Sequence, residues 1–430
     1  MSTIKSFAGI EEKILEIDNP AVFSWTEVYS ALLKQIGNRH FIKLNLIKTT
    51  PSRLYFHFIT LDGLNSFIDD PFSPSEIDLS ESKEKNLVSL IVPTGIGAAF
   101  GGYAGDANVI ANMFSKDCKY LLTHPNVVNG SVLSDPPQNM IYAEGFLLDQ
   151  FLLGRINFVY PSRNKIGVVF DRGITDERLG YEINVLNAAK SFYGCDFIGW
   201  TQTDKPLQIE PYINEYGFSS GKIKNIEQLI EKSLLLKLKG ATAIALCCLI
   251  PDLDTNSKYS SGVGIDPVGG VESIISRAVS SCTGLVSAHA PVIISNEKID
   301  YKFINPVSAS EYIGKSFLPS VLSGLRFAPR IVPGAKSGLA VESLSYTNLK
   351  STILPANAFG IPGIFYVNEL LNDVILVEEN KTCLDVSHMH INMKFKLVKS
   401  YLDLIDKKII EQSSICIESM KRPVEKVHQV

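Results

Sequence analysis

From Leu87 onward the chain repeats one pattern: a short apolar run, a turn of polar residues or glycine, then a segment with apolar residues at three- and four-residue intervals. Short apolar runs bounded by such turns read as buried strands, and the spaced segments read as amphipathic helices. The predicted strands are Leu87–Val92, Lys119–Thr123, Lys165–Phe170, Phe197–Thr201, Ala241–Ile250, Gly284–Ala288, Ser351–Leu354 and Val374–Val377. Between and after them the spacing predicts helices over Glu144–Leu153, Glu182–Tyr193, Ile226–Leu238, Gly270–Cys282, Gly363–Leu371 and Lys396–Glu411. Parallel strands need crossover connections, which cover the sheet on both faces with helices. The expected fold is therefore α/β, with a mostly parallel sheet flanked by helices.

Residues 1–84 break this rhythm. Phe7–Ile17 and Trp25–Ile36 have helical spacing, and Phe41–Thr49 with Arg53–Thr60 reads as a β-hairpin around Thr50-Pro51-Ser52. A stretch rich in Ser, Pro and acidic residues, with Pro71 and Pro74, follows as a linker. The division expected is a small N-terminal α+β unit with its linker over 1–84 and an α/β domain over 85–430. Within that domain, lobes of about 85–240 and 241–430 are an open alternative.

A chain of 430 residues with 45% hydrophobic residues can bury a sizeable core. A net charge of −4 and no long basic run argue against nucleic acid and anionic membranes as partners. The longest apolar stretch, Ala241–Ile250, has the length of a strand, not of a bilayer span, and the N-terminus carries acidic residues where a signal peptide needs an apolar core. A cytoplasmic location is expected. The seven cysteines lack CxxC spacing and read as inert buried thiols. A small-molecule ligand is the expected partner, with a homo-oligomer left open.

Five glycines and no cation fall within Gly95–Gly105, after the first strand and before a helix opening near Asp106. Such a turn lets a ligand approach backbone N–H groups beside a helix N-terminus. Thr94, Gly95, Gly97, Gly101, Gly102 and Asp106 are accordingly candidate ligand-binding residues. The alternative is that Asp106 caps the helix and the glycines permit close packing. NAD is disfavoured, since the next strand ends in Thr123-His124-Pro125 instead of a ribose-holding acid, and a P-loop would need a lysine where none occurs before Lys116.

Several other strands also deliver polar residues at their carboxyl ends, where open α/β sheets assemble their sites. His124 and His289 stand there beside prolines, and Glu144 and Asp171 stand there as carboxylates. These four are the candidate catalytic residues: a histidine as general acid or base, a carboxylate orienting it. Two histidines with a carboxylate also leave a divalent metal open as cofactor. Asn126 and Asn129 offer amides for a polar ligand, Asp266 lies in a second glycine loop, and Lys336 follows a Pro-Gly turn.

The motifs PTGIGAAFGGYAGDA, THPNVVNG, MIYAEGFLLDQF, RNKIGVVFDRGI, GATAIA, GIDPVGGVESIIS, SAHAP, FLPSVLSGLRFAP and EENKTCLDV occur in that order. In this the chain resembles the domain-of-unknown-function family 3326 over about residues 86–412. The resemblance implies that the motif residues build one unit, and it brings no activity, cofactor or catalytic residue with it. The function expected from the residues is an enzyme acting on a small carboxylated or phosphorylated metabolite. It would bind the anion at the glycine loop and use histidine–carboxylate or metal-assisted chemistry, of hydrolase or lyase type. The alternative is a metabolite-binding or regulatory module without catalysis.

Overall fold

The computed structural model describes residues 9–37, 39–75, 84–251, 256–294, 304–334, 343–371 and 374–430. Lys336 lies outside these residues. The chain opens with strand β1 (Gly9–Asp18), the helix Trp25–Ile36, and strands β2 (Phe41–Thr49) and β3 (Arg53–Asp62), which form an antiparallel sheet in the order β1-β3-β2. It then lays down β4 (Leu87–Leu90), β5 (Tyr120–Thr123) and β6 (Met140–Tyr142), three parallel neighbours. After β7 (Ile156–Val159) come β8 (Lys165–Phe170), β9 (Asp196–Gln202), the antiparallel pair β10 (Ile209–Ile213) and β11 (Ser219–Ile223), then β12 (Ala243–Pro251) and β13 (Val286–Ile294). The chain returns through β14 (Arg330–Pro333), which pairs with β7, and ends with β15 (Leu349–Pro355), β16 (Val374–Val377) and β17 (Lys396–Val398).

Two parallel sheets result. One has six strands in the order β17-β16-β15-β4-β5-β6, the other four in the order β13-β12-β8-β9. The α/β reading of the sequence holds. The two lobes are nested, however, and do not follow one another as a division near residue 240 implies: the four-stranded lobe is inserted between β6 and β15 of the six-stranded one. Strand pairing across the insertion sets this, since β15 bonds β4 directly.

The N-terminal sheet shares its core with the lobes. Trp25, Phe56 and Phe58 are fully buried in one continuous cluster with Leu87, Phe146, Phe170 and Phe365. The Leu46 N–H donates to the Gly360 carbonyl, and the Thr49 N–H to that of Asp385. Such burial of large aromatic side chains is worth roughly 2–3 kcal/mol each, so docking of this sheet is integral to the fold.

Two helices expected from spacing are not helices. Gly9–Asp18 is strand β1, because both its faces are partly covered: Leu15 and Ile17 meet the main core, while Ile10 and Ile14 meet other apolar clusters. That mixed burial replaces strict alternation with a helix-like spacing. In Lys396–Glu411 the first residues pair with β16 as β17, and Ser400 and Asp406 each cap a new short helical turn, which interrupts the long helix. The strand expected at Gly284–Ala288 instead begins at Val286 and continues through Ile294, which places His289 in mid-strand.

Within the inserted lobe the helix Gly269–Thr283 packs closely on β11 at Gly270, where an added Cβ would collide with the backbone carbonyl of Ser219. Backbone cannot retreat as a flexible side chain can. Gly270→Ala is expected to lower the unfolding free energy by about 3 kcal/mol, read from the midpoint of urea denaturation.

Candidate functional site

Strands β4, β5 and β6 run parallel, and their carboxyl ends deliver Thr94, His124 and Glu144 to one cavity of about 140 Å³. Much of the remaining wall comes from the helix Gly269–Thr283 and strand β13 of the inserted lobe, and from β2 and β3 of the N-terminal sheet. An engineered protein cavity of about 150 Å³ holds a benzene-sized molecule, so this one suits a ligand of roughly six heavy atoms. The two α/β lobes touch directly beside it: an added Cβ on Gly269 would lie 2.6 Å from the Thr94 hydroxyl oxygen and 2.7 Å from Asp266 Oδ2.

His289 faces the cavity from β13, and both its ring nitrogens have partners. Nε2 lies 2.9 Å from Glu272 Oε2, and Nδ1 lies 2.6 Å from the Ser276 hydroxyl. Glu272 and Ser276 are four residues apart on the helix Gly269–Thr283, so they sit on one face one turn apart. A carboxylate accepts the Nε2 proton, which leaves Nδ1 to accept from the Ser276 hydroxyl. The arrangement is a hydroxyl, imidazole and carboxylate in series, a chain able to pass a proton.

Two further carboxyl groups share this end. Asp266 accepts from the Val268 N–H at 2.9 Å and the Gly269 N–H at 3.0 Å. Glu311 accepts from the Ala104 N–H at 2.8 Å and the Tyr259 hydroxyl at 2.7 Å. Burial pushes both up, the negative charge of Glu272 adds to this in both, and that of Asp266 adds to it in Glu311. Buried like charges cannot all ionise together, so this end retains protons near neutral pH.

The opposite end is cationic. Arg277 pairs with Asp149 at 2.8 Å and donates to the Ile42 carbonyl at 3.1 Å. Its guanidinium lies flat on Gly145, where an added Cβ would be 2.5 Å from Nη2. Lys43, on β2, is buried nearby, and desolvation, with Arg277 adding to it, lowers its amine to about 8.

His124 accepts the Val92 N–H on Nε2 at 2.9 Å, so Nδ1 carries its proton. Burial, with Arg277 nearby, pushes it down to about 3, and it stays neutral. It can donate a hydrogen bond into the cavity but cannot serve as a base there. Glu144 caps the helix Gly145–Leu152, with one oxygen accepting from Phe146 N–H and the other from Leu147 N–H, each at 2.8 Å. Asn126 and Asn129 also line the cavity, but their amides hold neighbouring groups: Asn126 bonds the Val92 and Gly101 carbonyls, and Asn129 bonds the Tyr142 hydroxyl.

The other expected residues go elsewhere. The Asp171 carboxylate accepts from Gly173, Leu207 and Leu249 N–H groups at 2.9–3.2 Å, away from the cavity, and so ties strand ends together. Part of the glycine loop is engaged by the protein itself, although Thr94, Ile96 and Ala104 line the cavity. N–H groups of Ala99, Phe100, Gly101, Tyr103 and Ala104 all donate to protein oxygens, among them the carboxylates of Asp106 and Glu311. Gly95, Gly97, Gly101 and Gly102 do not line the cavity, and neither does Asp106, which is paired with Arg422 at 2.8 Å. The helix opens at Asn108, near Asp106 as expected, but Asp106 accepts from the Gly101 and Tyr103 N–H groups and does not cap it. The two-histidine metal site fails on lone pairs, because His289 spends both nitrogens and His124 its only free one on protein partners. Among the described residues, no group of three or more His, Cys, Asp or Glu is arranged to hold a metal.

Lys43, Asp149, Glu272, Ser276, Arg277 and Glu311 are absent from the sequence-based expectations. Two of them have a plain signal: a charge inside an apolar helix, Asp149 in GFLLDQFL and Arg277 in GGVESIISRAVSSCT. A buried charge needs a buried partner.

The profile of a family described as a protein of unknown function, DUF3326, matches residues 87–421. The chain belongs to this family. An uncharacterized lipoprotein of Synechococcus sp. is 33% identical over 320 residues, covering 74% of this chain and 88% of that protein. No solved structure matches the chain. The matched residues include every cavity-lining group named above except those from β2 and β3.

Raised carboxyls make the native state bind protons that the unfolded chain has released. For Asp266 and Glu311 that stabilisation is present at low pH and is lost as pH rises from about 4 through their folded values of about 7 and about 8. Glu311→Gln is expected to remove its share, so the variant gains stability relative to the native protein as pH rises through that window. Chemical denaturation across pH 4–9 reads this out; a difference independent of pH contradicts it. Asp149→Ala leaves Arg277 buried without its anion and is expected to cost about 3–5 kcal/mol in the same measurement.

Proposed function

We propose that the protein is an enzyme that performs acid–base chemistry on a small carboxylated or phosphorylated metabolite held in the central cavity. The observation that carries this is the convergence, in one cavity, of a Ser276–His289–Glu272 proton chain with the cations Arg277 and Lys43. Guanidinium groups recognise planar anions through paired N–H donors. Arg277 thus takes the place expected of the glycine loop as the anion anchor, and His124 Nδ1–H adds a neutral donor. His289 moves the proton, Glu272 orients it, and the carboxyls of Asp266 and Glu311 supply an acid that is still protonated near neutral pH. Hydrolytic and eliminating reactions both use such a pair, an acid and a base facing one substrate.

A non-catalytic metabolite-binding module is the second reading. It is favoured by the inward engagement of the polar groups, since Glu144, Asn126 and Asn129 already hold backbone or a neighbouring side chain. We place the protein in the cytoplasm, in keeping with seven free thiols; the Synechococcus relative is named a lipoprotein, so fractionation of the native host is the direct check.

The decisive experiment is a thermal-shift screen of short mono- and dicarboxylates and phosphorylated metabolites, with each hit followed for turnover by NMR. A hit should lose at least ten-fold in affinity with Arg277→Lys. Glu272→Gln and His289→Asn should keep binding and lose turnover. A ligand bound tightly by the native protein and never converted selects the binding module instead.

A further inference from the structure

Lys43 is unusual in forming no ion pair: the carboxylates of Glu12 and Asp149 act on it only from beyond contact distance. It is 9% exposed and lines the cavity, and among the described residues its amine makes no hydrogen bond or ion pair. Its nearest described interaction is the ring of Phe218, with Nζ 6.0 Å from the centroid. The cation Arg277 stands close enough to repel it. Burial of an ammonium in such a place carries a solvation penalty that the attraction of Glu12 and Asp149 does not offset, whereas a neutral amine is tolerated far better. A lysine desolvated beside a second cation is the form of lysine that attacks carbonyl carbon.

The surrounding polar atoms are also unfilled. Asn45 shares the β2 face with Lys43, being two residues on, and His57 stands opposite Asn45 on β3. Asn45 Oδ1 and His57 Nδ1 are buried without a hydrogen-bond partner among the described residues, and His57 is only 1% exposed. The other His57 nitrogen is held by Glu12 Oε1 at 2.6 Å, so the ring is fixed with Nδ1 unmatched. Both residues line the same cavity as Lys43. Buried polar atoms without partners mark a place where a bound molecule supplies them.

We infer that Lys43 forms an imine with the carbonyl group of a short 2-oxo acid whose carboxylate sits on Arg277. This deepens the proposed function by naming the substrate class, and it rests on that reading for the anion anchor. The free amine adds to the carbonyl carbon, the carbonyl oxygen is protonated, and the carbinolamine expels it as water; amine, carbonyl and one proton give a protonated imine and water. The proton comes from the carboxyls retained at the acidic end, and no oxidant or reductant enters. With an amine near 8, on the order of one-tenth of Lys43 is unprotonated at pH 7, against well under one-hundredth for an exposed lysine. The cavity volume of about 140 Å³ matches an acid of about three carbons. Lys43 lies outside residues 87–421, so the nucleophile comes from the N-terminal sheet and the acid–base groups from the family domain.

The test treats the full chain with pyruvate or glyoxylate at pH 7, reduces with borohydride, and maps adducts by peptide mass spectrometry. The expected result is a reduced adduct at Lys43 formed at least ten-fold faster than at any exposed lysine, and none in Lys43→Arg. Formaldehyde with the same reductant serves as the control that labels exposed lysines. Exposed lysines labelled by the oxo acids with Lys43 unmodified overturns the inference. Mapping on the native chain decides by itself if Lys43→Arg fails to fold. If the oxo acids stabilise the native protein and Arg277→Lys abolishes that, while Lys43 takes no adduct, the imine falls and the anion site stands. If Lys43 is labelled with no dependence on Arg277, the imine stands and the anion anchor falls.

Discussion

The buried ion pair of Arg277 with Asp149 joins three parts of the chain that lie far apart in sequence. Arg277 belongs to the helix Gly269–Thr283 of the inserted lobe, Asp149 to the helix Gly145–Leu152 of the six-stranded lobe, and the carbonyl it also reaches, Ile42, to the N-terminal sheet. Two charges removed from water are costly unless their geometry and remaining hydrogen bonds are satisfied. The fold meets that condition only when all three parts are docked. Gly145 is part of the same solution, because any side chain there would occupy the guanidinium's place. The pair is thus less a source of net stability than a device that admits one arrangement of the three units.

That arrangement produces the cavity. Three parallel strands end on one side of it, as open α/β sheets do at ligand sites. The inserted lobe then closes the crevice with a helix and an edge strand. Charge is sorted across the space, with Asp266, Glu272 and Glu311 at one end and Arg277 with Lys43 at the other. Burial, with the charge of Glu272 adding to it, raises the proton affinity of Asp266 and Glu311, and burial with Arg277 lowers that of Lys43. Asp266, Glu311 and Lys43 are therefore held away from their ordinary ionisation, a condition that reactive sites exploit.

The glycine-dense turn after β4 shows how a correct local reading gives an incorrect role. The glycines do permit a sharp turn and close approach: Gly95 has φ 73°, and an added Cβ would collide with Ser219 of the other lobe. What approaches, however, is the protein itself. The N–H groups of Ala99, Phe100, Gly101, Tyr103 and Ala104 are taken by a backbone carbonyl, Asn380, Asp106 and Glu311, so this part of the loop binds the protein's own oxygens. His124 and Glu144 stand where strand ends put them, yet their hydrogen bonds give them supporting parts. Lys43 and His57, whose Nζ and Nδ1 have no hydrogen-bond partner among the described residues, sit in the N-terminal sheet.

The sequence by itself determined the α/β class, the strands Lys165–Phe170 and Val374–Val377 and the helix Ile226–Leu238 to the residue, and the family, because periodicity and ordered motifs are local properties. It also placed Thr94, His124, Glu144 and His289 among the candidates, since polar residues after apolar strands are visible one strand at a time, and Asp266 through its glycine loop. Only the tertiary structure decided which of them meet. Lobe nesting depends on β15 pairing with β4 across more than two hundred residues, and no local pattern encodes that pairing. β1 escaped recognition because its two faces are buried by different neighbours, and Asp171 was indistinguishable from a site residue until its carboxylate was seen to hold three N–H groups. Whether a polar side chain is free to act or spent on its neighbours depends on what the rest of the chain brings beside it, and that is a property of packing.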